Sequence, residues 1–332
     1  MKALLSRVVG GPETLTLEEV PDPVAEAGQV RVRVRACGVN YPDALFIRDL
    51  YQVKWPRPFS PGGEVCGVVD QIGDGVTQFA IGDLVVGRCG IGGMAERLVL
   101  PAQSCTRLPP DTPAEVAAAF LLTYATAYHG LVDCAQMKAG ETLLVLGAAG
   151  GVGSAAVDLG HALGARVVAA ASSEEKVAFA RGLGADDGWV YPATIEDAAA
   201  AKAASAGFKA LVGEHGADVV FDPVGGAYSE AALRATARHG RFLVAGFTAG
   251  IPKVPLNLTL LKACRIIGVD LRMFGLEQPE RSAANAAELL RMLREGQLKP
   301  AVTEVFPLER APEALEKLSA RSAMGKMVVS IA

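Results

Sequence analysis

Between Gln29 and Ala36 the chain reads QVRVRVRA, valine alternating with arginine. Side chains leave a strand on alternate faces, so this run predicts a strand with one face in a core and the other in water. Apolar runs at Val65–Ile72 and Leu84–Gly87 follow, separated by Gly-Asp-Gly and Ile-Gly-Asp turn signals. To about residue 110 these short runs, broken by Pro and Gly, predict a small irregular barrel. From Pro113 the spacing changes. Ala114–Leu131 is an alanine-rich helical stretch, and an alternation begins after it. Strand Leu143–Leu146 precedes helix Val152–Leu163, which Gly164-Ala165 ends before strand Arg166–Ala170. Helix Glu174–Leu183 closes at Gly184, and strands follow at Trp189–Tyr191, Asp218–Phe221 and Arg241–Ala245. Such alternation predicts a parallel sheet with helices on both faces. Arg265–Val269 reads as the last strand of that sheet, or as one joining it to the same sheet of a partner. An amphipathic helix Arg281–Glu295, the segment Ala301–Pro307, a helix Pro312–Ala320 and a strand Met327–Ile331 complete the pattern. This tail is expected to return to the first domain.

Length and charge narrow the picture. A chain of 332 residues exceeds what one core usually serves, and 51% hydrophobic content is enough for two. A net charge of −4 offers no basic excess for phosphates, so nucleic acid is not an expected partner. The opening Met1-Lys2-Ala3-Leu4-Leu5 lacks the long apolar core of a secretory signal, and no run suits a membrane span. The six cysteines are scattered without a C-x-x-C pair, which predicts reduced core thiols and a cytoplasmic location.

The chemistry is written most plainly in LLVLGAAGGVGSAAVDLGHALGARVVAAAS. Gly150 and Gly153 fall on the second and third glycines of G-x-G-x-x-G, with Ala148 at the first position. Strand, turn, helix and second strand stand in the order that a Rossmann dinucleotide fingerprint requires. Missing Cβ atoms would let a pyrophosphate approach, and backbone N–H groups with the helix dipole would hold its charge. NAD enzymes usually carry an acid at the end of the second strand, for the ribose hydroxyls. Here Ala171-Ser172-Ser173 stands there, with Lys176 a turn later. A hydroxyl and an ammonium suit a 2′-phosphate, so the cofactor expected is NADPH. A competing reading of Ser172 is a helix cap, with Glu175 completing a capping box.

CGVNYPDALFIRDLY (Cys37–Tyr51), PGGEVCGVV (Pro61–Val69), the GAAGGVGS loop and GKMVV near the end together resemble the medium-chain dehydrogenase/reductase superfamily. The likeness is nearest to its zinc-free, zeta-crystallin-like branch of NADPH:quinone oxidoreductases. It implies an α/β fold: a discontinuous GroES-like β-rich catalytic domain (1–123 and 268–332) and a Rossmann doubly wound parallel-sheet cofactor domain (124–267). Asn40 and Gly63 stand where the zinc alcohol dehydrogenases carry metal ligands, and the four-cysteine lobe has no counterpart. No metal is therefore expected.

The resemblance implies that Asn40, Tyr51, Asp43 and Arg48 line the substrate side, with Tyr51 donating a hydrogen bond and Asn40 orienting nicotinamide or substrate. Asp43 and Arg48 could equally pair to brace the loop. Cofactor contacts are expected from Asn40, Thr126, Ala148, Ala149, Gly150, Gly151, Val152, Ser172, Lys176, Tyr191, Val224, Gly225, Phe247 and Lys326. Of the histidines, only His129 is placed for function, and a general-base role is not expected of it. The reaction expected is hydride transfer from NADPH to a quinone or α,β-unsaturated carbonyl, in a homodimer paired through Arg265–Val269. An enoyl- or acryloyl-CoA reductase and a non-catalytic NADPH- or RNA-binding protein stay open as alternatives.

Overall fold

A computed structural model describes residues 1–331; Ala332, the last residue of the expected first domain, lies outside the described residues. The chain separates into two compact units, Met1–Leu122 with Pro300–Ala332, and Thr123–Lys299.

The first unit begins with β1 (Lys2–Ser6) and β2 (Leu15–Glu19), an antiparallel pair. It continues with β3 (Gln29–Gly38), β4 (Glu64–Ile72), β5 (Leu84–Arg88), β6 (Arg97–Pro101) and β7 (Cys105–Arg107). In β3 the alternation behaves as its pattern requires: Val30, Val32 and Val34 are buried while Arg33 and Arg35 face water. Each buried valine contributes roughly 1.5–3 kcal/mol. Arg31 answers Asp70 of β4 at 2.7 Å.

The second unit holds β8 (Thr142–Leu146), β9 (Arg166–Ala171), β10 (Asp187–Val190), β11 (Ala217–Asp222), β12 (Thr236–Val244) and β13 (Arg265–Gly268). They form one sheet in the order β10-β9-β8-β11-β12-β13, every pairing parallel. This is the doubly wound sheet that the alternation predicts. Strands leave β8 first toward β9 and β10 and then, from β11, on the other side, so the topological switch lies between β8 and β11, where such sheets bind ligands. β14 (Val302–Pro307) and β15 (Lys326–Ser330) rejoin the first unit, giving β14-β15-β3-β4-β5-β7 with β6 on β3.

Some expectations need correction. Residues 268–299 were expected with the first domain, but they pack in the second unit. The helix Pro279–Arg294 is held there through Arg281 and Asn285, both bound to Asp133, and the Lys299 N–H donates to Asp158. The helical stretch from Ala114 is not continuous. Ala114–Ala118 stops at Ala119, Leu121–Tyr128 follows, and a wide i→i+5 turn, His129–Cys134, completes it. β12 starts five residues before its expected Arg241, and its register on β11 is broken between Thr236 and Arg241, where His239 stands at φ 64°.

Candidate functional site

Each unit holds a group of the residues expected at the site. In the second unit that group lies at the C-terminal end of the sheet. The turn after β8 swings through Gly147, at φ 56°, and the helix Gly151–Ala162 starts with Gly150 at its N-cap and no side chain capping it. The first N–H groups of a helix have no carbonyl of their own helix to meet, so those of Gly151 and Val152 point outward with the positive end of the dipole. Gly153 is what allows the close approach: a Cβ there would lie 2.1 Å from the Gly147 carbonyl oxygen. Gly150 is exposed and Gly151 and Val152 are half-buried, whereas Ala148 and Ala149 are buried and the Ala148 N–H donates to Ala170 O at 3.1 Å. The part of the loop left open to an approaching group is therefore Gly150–Val152.

Strand β9 ends at Ala171, and the cap of the next helix is Ser173, not Ser172: Ser173 Oγ accepts the Lys176 N–H at 3.3 Å. The capping reading of Ser172 is thus overturned. Ser172 is exposed, and its Oγ accepts from Lys176 Nζ at 3.3 Å, which joins a hydroxyl and an ammonium at the strand end. Tyr191, just past β10, is buried with its ring 4.9 Å from that of Tyr228.

The turn after β11 is built by Asp222. Its carboxylate accepts from the N–H groups of Val224 (2.8 Å) and Gly225 (2.9 Å) and from Ser229 Oγ (2.5 Å). Burial still pushes this carboxyl above its ordinary range, against those three donors. A Cβ on Gly147 would meet Val224 at 2.9 Å, and one on Gly225 would lie 3.1 Å from the Cα of Phe247. The loops after β8, β11 and β12 therefore close on one another at the switch point, with Phe247 largely exposed. Thr126 sits half-buried on the helix Leu121–Tyr128, whose continuation lays Gly130 over Phe221 of β11.

In the first unit three of the expected residues meet, around a fourth that sequence reasoning passed over. Lys326 Nζ, from β15, donates to Asn40 Oδ1 (2.6 Å), Glu64 Oε1 (2.8 Å) and Val39 O (3.0 Å). Asn40 Nδ2 donates to the same Glu64 oxygen at 2.9 Å and to Gly38 O at 3.2 Å. The second Glu64 oxygen accepts the Leu122 N–H at 2.9 Å. Glu64 is fully buried and Lys326 nearly so. Gly38 keeps the cluster tight, since a Cβ there would lie 2.1 Å from Ala118 O. The signal for Glu64 in the sequence is its place directly after Gly62-Gly63, where a zinc enzyme's histidine is missing.

Asp43 braces this cluster from the short helix Tyr41–Phe46, accepting from Asn40 N (2.8 Å) and Gly62 N (3.2 Å). Burial drives its carboxyl up to about 7, overriding those two bonds and the nearby Lys326. The alternative pairing of Asp43 with Arg48 does not form: Arg48 donates to Ala44 O and Ser319 Oγ. Tyr51 is half-buried, edge-on to Phe46 at 4.9 Å. Among the described residues no three His, Cys, Asp or Glu side chains are arranged to hold a metal ion.

Comparison with known proteins agrees with both units. Residues 26–110 match the alcohol dehydrogenase GroES-like domain and residues 183–329 the zinc-binding dehydrogenase domain. The chain is 35% identical over 319 residues to quinone oxidoreductase-like protein 2 of Bos taurus, covering 96% of this chain and 89% of the bovine one. It superposes on the Escherichia coli quinone oxidoreductase complexed with NADPH at a TM-score of 0.90, with 26% identity over 99% of this chain and 100% of that one. The quinone oxidoreductase of Thermus thermophilus, also solved in complex with NADPH, gives 0.82 at 34% identity with the same coverage. With a GroES-like first unit, a Rossmann second unit and relatives of this identity along nearly its whole length, the chain belongs to the quinone oxidoreductase family of medium-chain dehydrogenases/reductases.

Proposed function

We propose that the protein is an NADPH-dependent oxidoreductase that transfers hydride to quinones or α,β-unsaturated carbonyls without a metal ion. The observation that carries the cofactor half is the uncapped helix start at Gly150, with Gly153 pressed on Gly147 and Ser172 and Lys176 together where an acid would select NADH. The N–H groups of Gly151 and Val152 hold the pyrophosphate, and Ser172 with Lys176 holds the 2′-phosphate. NADPH complexes of the E. coli and T. thermophilus relatives support the same assignment. Tyr191, Val224, Gly225 and Phe247 belong to the same ligand-binding rim, and Thr126 is assigned to it by the resemblance alone.

NADPH supplies the hydride; the chain has to bind, orient and stabilise developing charge. Conjugated acceptors suit such a site, because their negative charge moves onto an oxygen that one hydrogen-bond donor can stabilise. Tyr51 is the group assigned to that donation. Asn40, Asp43 and Lys326 have another role. Both amide ends of Asn40 are engaged within the cluster, and Lys326 Nζ has three acceptors. They act as the framework of the substrate side, and Arg48 braces the adjoining helix. A zinc ion does not fit this donor set: Asn40 and Glu64 already share an ammonium, and Gly63 brings no ligand. No step runs through a metal.

A homodimer in the cytoplasm belongs to the same reading. The sheet edge β13 leaves Arg265, Ile266 and Gly268 exposed, beside Leu260 at 80% and Leu261 at 64% exposure, an apolar edge suited to a second copy. All six cysteines are free thiols, and no helix of the described residues is long and apolar enough to cross a membrane. The test is NADPH consumption with benzoquinone, naphthoquinones, short enones and acryloyl-CoA. Turnover with the quinones and enones supports the proposal, turnover confined to the thioester moves the assignment to a CoA-ester reductase, and none at all removes it.

A further inference from the structure

The wide turn His129–Cys134 gathers three side chains that neither the nucleotide rim nor the Lys326 cluster uses. An i→i+5 turn brings residues four and five apart onto one side of the backbone. His129 Nδ1 lies 3.0 Å from Asp133 Oδ2, and His129 Nε2 lies 3.5 Å from Cys134 Sγ. Neither the ring nor the carboxylate is loose. The imidazole stacks on Phe274 with centroids 4.0 Å apart and planes 20° from parallel. Asp133 is clamped by Arg281 Nη2 at 2.7 Å and by Asn285 Nδ2 at 2.7 Å, and its side chain is only 6% exposed.

The carboxylate settles the tautomer. With Nδ1–H donating to Asp133, the Nε2 lone pair faces the thiol, and a thiol, an imidazole and an orienting carboxylate stand in the order that activates a nucleophile. Among the described residues the five other cysteines have no such neighbour. Cys37 and Cys66 are buried, while Cys89, Cys105 and Cys264 turn their thiols toward backbone carbonyls of Gly62, Pro101 and Leu258. Cys134 itself is partly accessible.

We propose that Cys134 is a nucleophilic thiol, with His129 as its base and Asp133 orienting that base, which adds to conjugated carbonyl compounds to give a thioether. Burial and the Asp133 carboxylate push the thiol up, partly offset by Arg281, so the sulfur rests as the protonated thiol and needs a base to react. In the reaction the Cys134 proton passes to His129 Nε2 as sulfur bonds to the β carbon. The displaced π pair becomes an enolate, and that enolate recovers the proton. The balance is a simple addition, with no oxidant, reductant or NADPH. The electrophiles overlap the acceptors assigned to the reductase, but this step stands whether or not hydride transfer occurs.

The test exposes the whole protein, free of NADPH, to N-ethylmaleimide for short times and maps the adducts by mass spectrometry. Cys134 should be modified first, and Cys134→Ser should abolish the fast adduct. His129→Gln should slow the modification of Cys134 about a hundredfold, the range that a positioned base supplies. Asp133→Asn, which keeps the shape but loses the preference for Nε2 as acceptor, should slow it about tenfold and decides the matter if His129→Gln does not fold. Earlier modification of another cysteine, or an unchanged rate at Cys134 in a folded His129 or Asp133 variant, would overturn the proposal. Failure of the quinone assays leaves it intact, so the two readings fall separately.

Discussion

Lys326 is the most informative single change in the first unit. Replacing it with Met keeps the stem's length and apolar packing but removes an ammonium that is within 3.0 Å of three oxygens. Glu64, with no exposure to solvent, then keeps the Asn40 amide and the Leu122 N–H as hydrogen-bond donors and the field of Arg88 across the strand pair, but loses its direct ammonium partner. Removing one partner of a buried pair leaves an uncompensated charge and costs about 3–5 kcal/mol. Part of that loss returns if the charge goes too. In Lys326→Met with Glu64→Gln, the amide oxygen still accepts from Leu122 N and no bare carboxylate remains, so the coupling between the two changes should reach about 2 kcal/mol. Urea unfolding of wild type, both single variants and the double variant, followed by circular dichroism, measures the cycle. Unfolding of Lys326→Met within about 1 kcal/mol of wild type, or two losses that simply add, would refute the buried pair as a stabilising unit.

Other consequences follow from single groups. Asp43 binds its proton more tightly folded than unfolded, its carboxyl rising from 3.8 to about 7. The folded state therefore holds the extra proton between those values, and Asp43 makes stability fall as pH rises through that window, by up to about 4 kcal/mol. Asp43→Asn should flatten this part of the melting-temperature profile; an unchanged slope would mean that Asp43 is ionised throughout. Gly153→Ala forces a methyl to within 2.1 Å of Gly147 O, and should weaken NADPH binding at least about tenfold in a fluorescence titration. Unaltered affinity would show that the loop is not the pyrophosphate site. Ser172→Asp sets a carboxylate where the 2′-phosphate is assigned, and should shift the kcat/KM ratio about tenfold or more toward NADH; a ratio that does not move would relocate the selector.

Local pattern made much of this molecule readable. The valine–arginine alternation of β3, the strand–turn–helix around Gly150 and the absent acid at Ala171 are properties of short windows, and short windows are what periodicity and backbone chemistry control. What escaped was set by tertiary contact. Lys326 and Glu64 are 262 positions apart in the chain, and nothing near either announces the pair. The helical stretch from Ala114 shows the same limit. Its alanines favour one helix, but the Ala118 carbonyl packs on Gly38 and the helix stops one residue later. The expected boundary at residue 268 fails because an amphipathic helix reveals that it has a partner, not which one. Arg281 and Asn285 on Asp133 supply the answer. The same holds for His129, whose stacking partner Phe274 lies far along the chain and could not be read from its own surroundings.

Hydride passing from NADPH to a conjugated acceptor is the central step proposed for this protein. It is tested most directly with NADPH deuterated at the transferring carbon of the nicotinamide and a short open-chain enone, with the product analysed by mass spectrometry. One deuterium on the β carbon of the saturated ketone, transferred from one face of the nicotinamide only, is the predicted result. A saturated product without label, or oxidation of NADPH with no reduced acceptor, would contradict it.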